Sequence, residues 1–167
     1  GNTAATPASI LVDTVAPSAP GISLSSSAAG TISFAEATSP LGLIDVTGDA
    51  GATVNVVFTG VNGSVPVSVS GPNGVTILTA GNLATLGDGP VAVTATQTDA
   101  AGNESLPSNT IDLELDATPP VVIDFASDKP AGHYKSGQTF NLTASLSEQV
   151  SAGQNFTVTL NTGAPVL

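Results

Sequence analysis

The five residues Asp13-Thr-Val-Ala-Pro17 recur 103 residues later as Asp116-Ala-Thr-Pro-Pro120. Each copy follows a Gly-Asn pair, at residues 1–2 and 102–103, and a short stretch that changes from polar to apolar. A repeat of about 100 residues is too long for a solenoid unit and has the length of a whole β-sandwich domain. The spacing therefore predicts that the chain is a section of a tandem array of domains.

Apolar and polar residues between the two copies alternate with a period of two, which is typical of half-buried β-strands. The pattern is clearest at Val91, Val93 and Ala95, which alternate with Ala92, Thr94 and Thr96. The predicted strands are residues 19–24, 43–48, 52–59, 64–70, 74–78, 91–98 and 109–115. Seven short strands in about 100 residues is the count of an immunoglobulin-like, antiparallel β-sandwich, so we predict an all-β fold. Residues 79–86 are expected to form at most a single helical turn.

Three segments follow from the repeat. Residues 1–12 are predicted to be the terminal strand of a preceding repeat, 13–115 a complete repeat, and 116–167 the N-terminal part of a following repeat. Strands are expected at 121–125, 139–146 and 155–160 in the last of these. Part of a sandwich leaves open sheet edges and an uncovered apolar face. We therefore expect either further residues or another chain to complete it.

The charge balance excludes several classes of function. The chain has 13 acidic residues and two lysines, no arginine, and a net charge of −11. Binding to nucleic acid or to an anionic membrane surface needs basic side chains that this chain lacks. A strongly acidic surface instead suits divalent cations. No apolar run is long enough to insert into a membrane. Because cysteine is absent, only a core or a metal can stabilise the domain.

Several stretches resemble the immunoglobulin-like repeats of giant bacterial surface adhesins, the biofilm-associated and RTX types that are exported by type I secretion. They are residues 13–20, 48–56, 86–95 and 98–105, and residues 133–150, which resemble a sister repeat type. The resemblance covers essentially the whole chain. It implies an extracellular extender at the bacterial cell surface, in contact with neighbouring repeats of the same chain and rigidified by Ca²⁺ at the junctions, which supports adhesion and biofilm formation.

A calcium site needs six to eight oxygen ligands, so several acidic loops must converge. The chain entry and the loops after the second and sixth strands lie at one end of a seven-strand sandwich. These positions carry Asp13, Asp49 and Asp99, together with Asn103. The alternative is that the same residues form ordinary turns capped by side-chain hydrogen bonds. The resemblance favours calcium.

A second calcium site is expected at the next junction, around Asp116, with Asp124 or Asp128 as partners. Asp88-Gly89 is interpreted as a plain hairpin turn. The phenylalanines are predicted to lie in the core; they are Phe34, Phe58, Phe125, Phe140 and Phe156.

Catalysis has little support in the sequence. His133 is the only histidine and is interpreted as a solvated loop residue, and no nucleophile, zinc or phosphate-loop motif is present. We therefore expect a protein that is not an enzyme.

Two alternatives to the extender remain. In a ligand-binding module, residues 35–43 would form a contact loop. In a fibre subunit, residues 1–12 of one chain would complete residues 116–167 of another by strand addition.

Overall fold

A computed structural model describes residues 11–26, 28, 30–130, 132–148 and 150. The chain divides into two compact units, with the boundary between Thr118 and Pro119. The strand predicted at 155–160 and most of the one predicted at 1–12 lie outside the described residues. Leu11 and Val12, which are described, are exposed.

The first unit is built from strands, with two short helices. Its elements are β1 (Gly21–Leu24), β2 (Thr31–Ser33), α1 (Phe34–Ala37), β3 (Ile44–Thr47), β4 (Thr53–Thr59), β5 (Ser64–Ser70), β6 (Asn73–Thr76), α2 (Ala80–Leu86), β7 (Gly89–Thr98) and β8 (Ile111–Asp116). They form a three-stranded sheet of order β1-β3-β6 and a five-stranded sheet of order β2-β8-β7-β4-β5. Every pair of neighbours is antiparallel except β2 and β8, which are parallel. The predicted all-β fold is confirmed.

One hydrophobic core joins the two sheets. The five-stranded sheet contributes alternate residues of its central strands, as the period of two predicts: Val54, Val56 and Phe58 from β4, and Val91, Val93 and Ala95 from β7. Ile44 and Val46 of the three-stranded sheet belong to the same cluster. Burial of each large apolar side chain contributes about 1.5–3 kcal/mol, so this shared interior stabilises the unit without disulfides.

The expectation of at most one helical turn at residues 79–86 was wrong. Helix α2 has seven residues and begins with a capping box, in which Thr79 Oγ1 accepts from Asn82 N (3.2 Å) and Asn82 Oδ1 accepts from Thr79 N (2.8 Å). A helix this short is unstable alone. Burial of Leu83 and Leu86 in the core supplies the missing stabilisation.

The sequence patterns did not predict β2 or α1. Strand β2 has only three residues, and its partner β8 is distant in sequence. Helix α1 follows at once, capped by Ser33 and Glu36 in a second capping box. The segment 35–43, which would form a contact loop in the alternative of a ligand-binding module, includes Ala37 and Leu43, both fully buried. Much of this segment is therefore part of the core.

Two further expectations are corrected. Asp88-Gly89 is not a hairpin turn, because it connects α2 to β7. Among the phenylalanines only Phe58 is in the described core. Phe34, Phe125 and Phe140 are 44%, 52% and 39% exposed, and Phe156 lies outside the described residues.

The second unit contains an antiparallel pair, β9 (Val122–Ser127) and β10 (Leu142–Leu146). Every residue of β9 is exposed, including Val122, Ile123 and Phe125. Both basic residues of the chain, Lys129 and Lys135, belong to this unit. None of the helices in the described ranges is long and apolar enough to cross a membrane.

Candidate functional site

Four of the predicted calcium ligands lie at one end of the first unit, which we call the entry pole (residues 13–18, 48–52 and 99–103). Asp13, Asp49 and Asp99 line a single open pocket there. The reason is the pairing of β4 with β7: Thr53, where β4 begins, is opposite Thr98, where β7 ends. The loops that carry Asp49 and Asp99 therefore lie side by side.

Asp49 attaches the incoming chain to this pole. Its Oδ2 accepts a hydrogen bond from the Ser18 backbone N–H (3.1 Å), and its Oδ1 accepts one from Ser18 Oγ (3.1 Å). Hydrogen bonds to an ionised acceptor are stronger than those between neutral groups. The carboxylate of Asp49 therefore fixes the residues that precede β1.

Asp99 organises its own loop. Its Oδ1 accepts from the N–H groups of Ala101 and Asn103, each at 2.9 Å, and its Oδ2 accepts from Asn103 Nδ2 at 2.9 Å. The hydrogen bonds from the Asn103 side chain and then from its backbone lower the pKa of Asp99 below the ordinary value. Gly102 has a φ of 91°, in the left-handed region that the turn requires.

Asn103 connects this loop to the first predicted ligand. Besides Asp99, its Nδ2 contacts the carbonyl oxygen of Asp13 at 3.3 Å. The carboxylate of Asp13 accepts from the N–H of Val15 at 3.0 Å and is exposed. Asn103 thus presents its amide nitrogen, a donor, to the carboxylate and carbonyl oxygens around it.

A residue that the sequence analysis missed lies beneath the pocket. Gln97 is fully buried, and it is the fourth member of the inward-facing series that starts at Val91, Val93 and Ala95. Its Nε2 donates to the carbonyl of Ser18 at 2.6 Å. Its Oε1 accepts from the N–H of Asp49 at 2.8 Å. A long polar side chain in an inward-facing register was the available signal, because a buried amide needs partners.

The oxygen atoms at the entry pole are of the chemical kind that binds calcium. Carboxylate, amide and carbonyl oxygens are the ligands that Ca²⁺ prefers, and the first unit contains no lysine, arginine or histidine to neutralise its aspartates. However, no three His, Cys, Asp or Glu side chains within the described ranges are grouped so as to hold a metal ion. Because N–H groups already donate hydrogen bonds to the carboxylates of Asp49 and Asp99, a calcium ion here has to compete with these donors.

Asp116 lies at the opposite end of the first unit, which we call the exit pole (residues 86–89 and 116–118). Asp116 ends β8 and pairs with Ser33, whereas Asp99 follows the other end of the ten-residue β7. At about 3.3 Å per residue, the two ends of β7 are roughly 30 Å apart. Asp116 therefore does not belong to the candidate calcium ligands around Asp49 at the entry pole.

Asp88 attaches the outgoing chain at the exit pole. Its Oδ1 accepts from the N–H of Ala117 at 2.8 Å. Hydrogen bonds from the Thr118 side chain and then from Ala117 lower the pKa of Asp88 below the ordinary value. An aspartate thus fixes the connecting segment at each pole.

The other predicted partners of Asp116, Asp124 and Asp128, belong to the second unit. Asp128 accepts from the N–H and the Nδ2 of Asn141, at 2.9 and 3.1 Å. These bonds connect residues at the ends of β9 and β10.

Comparisons with protein families, curated proteins and solved structures found no match to this chain.

Proposed function

We propose that the first unit is an immunoglobulin-like β-sandwich repeat that acts as an extender in a bacterial cell-surface adhesin. Neighbouring repeats of the same chain are its partners, and calcium at the entry pole rigidifies the junction between them. The complete protein would use the resulting rod to hold an adhesive domain away from the cell and so support adhesion and biofilm formation.

The order of the strands supports the immunoglobulin-like assignment. In that fold one sheet contains strands A, B and E with B in the middle, and the other contains G, F, C and, in the variable type, C′. The sheet β1-β3-β6 has the first order and β8-β7-β4-β5 has the second. Chain order agrees as well, because β3 follows β1 and β6 follows β5.

The observation that carries the extender proposal is that hydrogen bonds hold the connecting segment to the unit at both poles. Ser18 is bound by Asp49 and Gln97 at the entry pole. Ala117 is bound by Asp88 at the exit pole. Segments that are hydrogen-bonded in this way have little freedom to bend, which is the property that a rod of tandem repeats needs.

Proline supports the same function. Pro17 and Pro20 in the entry segment, and Pro119-Pro120 after the exit pole, each fix a φ angle near −65°. Such residues favour an extended backbone. The covalent structure of the connecting segments thus reduces the flexibility that remains beside their hydrogen bonds.

Calcium would supply positive charge among carboxylates that otherwise repel one another. Asp13, Asp49 and Asp99 would hold it, with Asn103 beside them. Asp13 comes from the connecting segment and the other two come from loops of the unit, so the same residues tie the segment to the unit. The charge of the first unit supports this role, because all but three of the 13 acidic residues lie in it and both lysines lie outside it.

Titration calorimetry in a buffer first freed of divalent ions tests the calcium site. We expect the chain to bind Ca²⁺ in preference to Mg²⁺, and the double variant Asp49→Asn, Asp99→Asn to lose this binding. Asp45→Asn is the matched control, since Asp45 lies within β3 away from the pocket. No heat of calcium binding by the wild-type chain, or unchanged binding by the double variant, would contradict the proposal.

A second candidate function is self-association, in which the second unit of one chain accepts a strand from another. The observation that favours it is the exposure of Val122, Ile123 and Phe125 on β9, since apolar surface of this kind is a common interaction site. Sedimentation velocity over a hundredfold range of concentration distinguishes the two functions. A monomer at every concentration would exclude strand exchange, and concentration-dependent oligomers would support it.

A further inference from the structure

The buried amide of Gln97 connects two parts of the chain that are distant in sequence. It binds Ser18, 79 residues before it, and Asp49, 48 residues before it. Burial of an amide without partners costs about 1–3 kcal/mol in proteins. Both polar atoms of the Gln97 side chain have a partner, so the folded state retains Gln97 inside only while Ser18 and Asp49 stay where they are.

The geometry requires a side chain that donates one hydrogen bond and accepts another, as an amide does. Ser18 presents a carbonyl oxygen, which only accepts, and Asp49 presents an N–H, which only donates. A carboxylate offers two acceptors and leaves the Ser18 carbonyl facing negative charge. An apolar side chain of similar length satisfies neither group.

The residue before Asp49 is adapted to this contact. A Cβ atom on Gly48 would lie 2.7 Å from Gln97 Oε1 and 2.7 Å from Val54 Cγ2. Glycine at this position therefore leaves the space that the Gln97 amide occupies.

We propose that Gln97 is a positioning residue, which fixes the entry segment and the Asp49 loop in their relative places without any cation. Gln97 makes its two hydrogen bonds to backbone atoms and does not use the side chain of Asp49. The carboxylate of Asp49 therefore remains directed at Ser18 and the pocket. Fixing these groups in advance lowers the conformational entropy that a ligand must remove when it binds. The effect on a cation rests on the proposed function, whereas the attachment of the entry segment does not.

Amide hydrogen exchange in EDTA tests the attachment separately from calcium. We expect Gln97→Leu to lower the protection factor of the Asp49 amide at least tenfold, because its acceptor is gone, and to lower that of Ser18 as well. Gln138→Leu is the matched control. Gln138 is an exposed glutamine of the second unit whose Oε1 likewise accepts a backbone N–H, that of Lys135. This control should leave both amides unchanged.

Gln97→Glu supplies a second test that remains informative if Gln97→Leu fails to fold. A protonated carboxyl group can donate to the Ser18 carbonyl and accept from Asp49, whereas the carboxylate cannot donate. Protection of Ser18 and Asp49 should therefore be close to that of the wild type at a pH below the pKa of the introduced carboxyl group and fall above it. In the wild type the same change of pH should have no such effect.

The outcomes separate the two proposals. Unchanged protection of Ser18 and Asp49 in Gln97→Leu, or protection in Gln97→Glu that does not depend on pH, would overturn the positioning role. Loss of protection in EDTA together with no calcium binding by the wild type would confirm the positioning role and refute the calcium site.

Discussion

Replacement of Gly48 by alanine tests the packing under the entry pole without altering any charge. The backbone of Gly48 lies outside the left-handed region, so alanine can adopt its conformation. The new methyl group would lie 2.7 Å from both Gln97 Oε1 and Val54 Cγ2. Neither side chain can move freely, because both are fully buried.

The magnitude follows from these contacts. Displacement of Gln97 leaves the Asp49 N–H without its acceptor, which costs about 1–3 kcal/mol. Overpacking against Val54 costs about 1–3 kcal/mol more, and the lower entropy of the unfolded chain returns about 0.4–1 kcal/mol. We expect Gly48→Ala to lower the free energy of unfolding by about 3 kcal/mol in total.

Urea unfolding followed by circular dichroism measures this change. Gly81→Ala is the control, because Gly81 is exposed in α2 and its nearest neighbour, Thr79 Oγ1, would be 3.8 Å from the added atom. That variant should gain about 0.5–1 kcal/mol from helix propensity. Equal stabilities of Gly48→Ala and wild type would show that the Gln97 amide does not occupy the place described.

Two further predictions concern the core and the exit pole. Phe58→Ala should lower the free energy of unfolding by about 3–5 kcal/mol, because Phe58 is fully buried. Phe34→Ala, at a 44% exposed position, should lower it by less than about 1 kcal/mol. Equal losses for the two variants in chemical denaturation would contradict the assigned core. The lowered pKa of Asp88 means that its stabilising effect is complete above the ordinary carboxyl value of 3.8 and is lost as the pH falls through the lower folded value. Asp88→Ala should therefore lose less stability than wild type on acidification below about pH 4.

The sequence predicted the central strands of the first unit well, for a physical reason. In β4 and β7 one face is buried and the other is partly exposed, so apolar and polar residues must alternate. Val56 and Val93 carry this signal directly. The pattern fails where a strand is short, as in β2, whose three residues acquire their structure from pairing with β8.

The helices were predictable from a signal that the alternation obscured. Ser33 and Glu36 are spaced as in a capping box, and Thr79 and Asn82 form a variant of it with asparagine. Propensity gives little warning of helices this short, since their stability comes from buried residues such as Ala37 and Leu86.

Sequence reasoning predicted that the loops of Asp49 and Asp99 lie at one end of the unit, as they do, but it missed the buried Gln97. Asp49 and Asp99 follow predicted strands, so the topology of a sandwich places them at one end. Gln97 was missed because its role depends on partners 48 and 79 residues away. The positions of Ser18 and Asp49 around it emerge only when the sheets are assembled.

Thermal unfolding of the chain in Ca²⁺, in EDTA and in Mg²⁺ tests the proposed function most directly. A ligand that binds only the folded state at 100 times its Kd stabilises it by about 2.7 kcal/mol, which is about 10 °C in Tm for a unit of this size. We expect this increase with Ca²⁺, a much smaller one with Mg²⁺, and none in the Asp49→Asn, Asp99→Asn variant. Identical curves in Ca²⁺ and EDTA would show that these aspartates only form turns and hold the entry segment, and would contradict a calcium-rigidified extender.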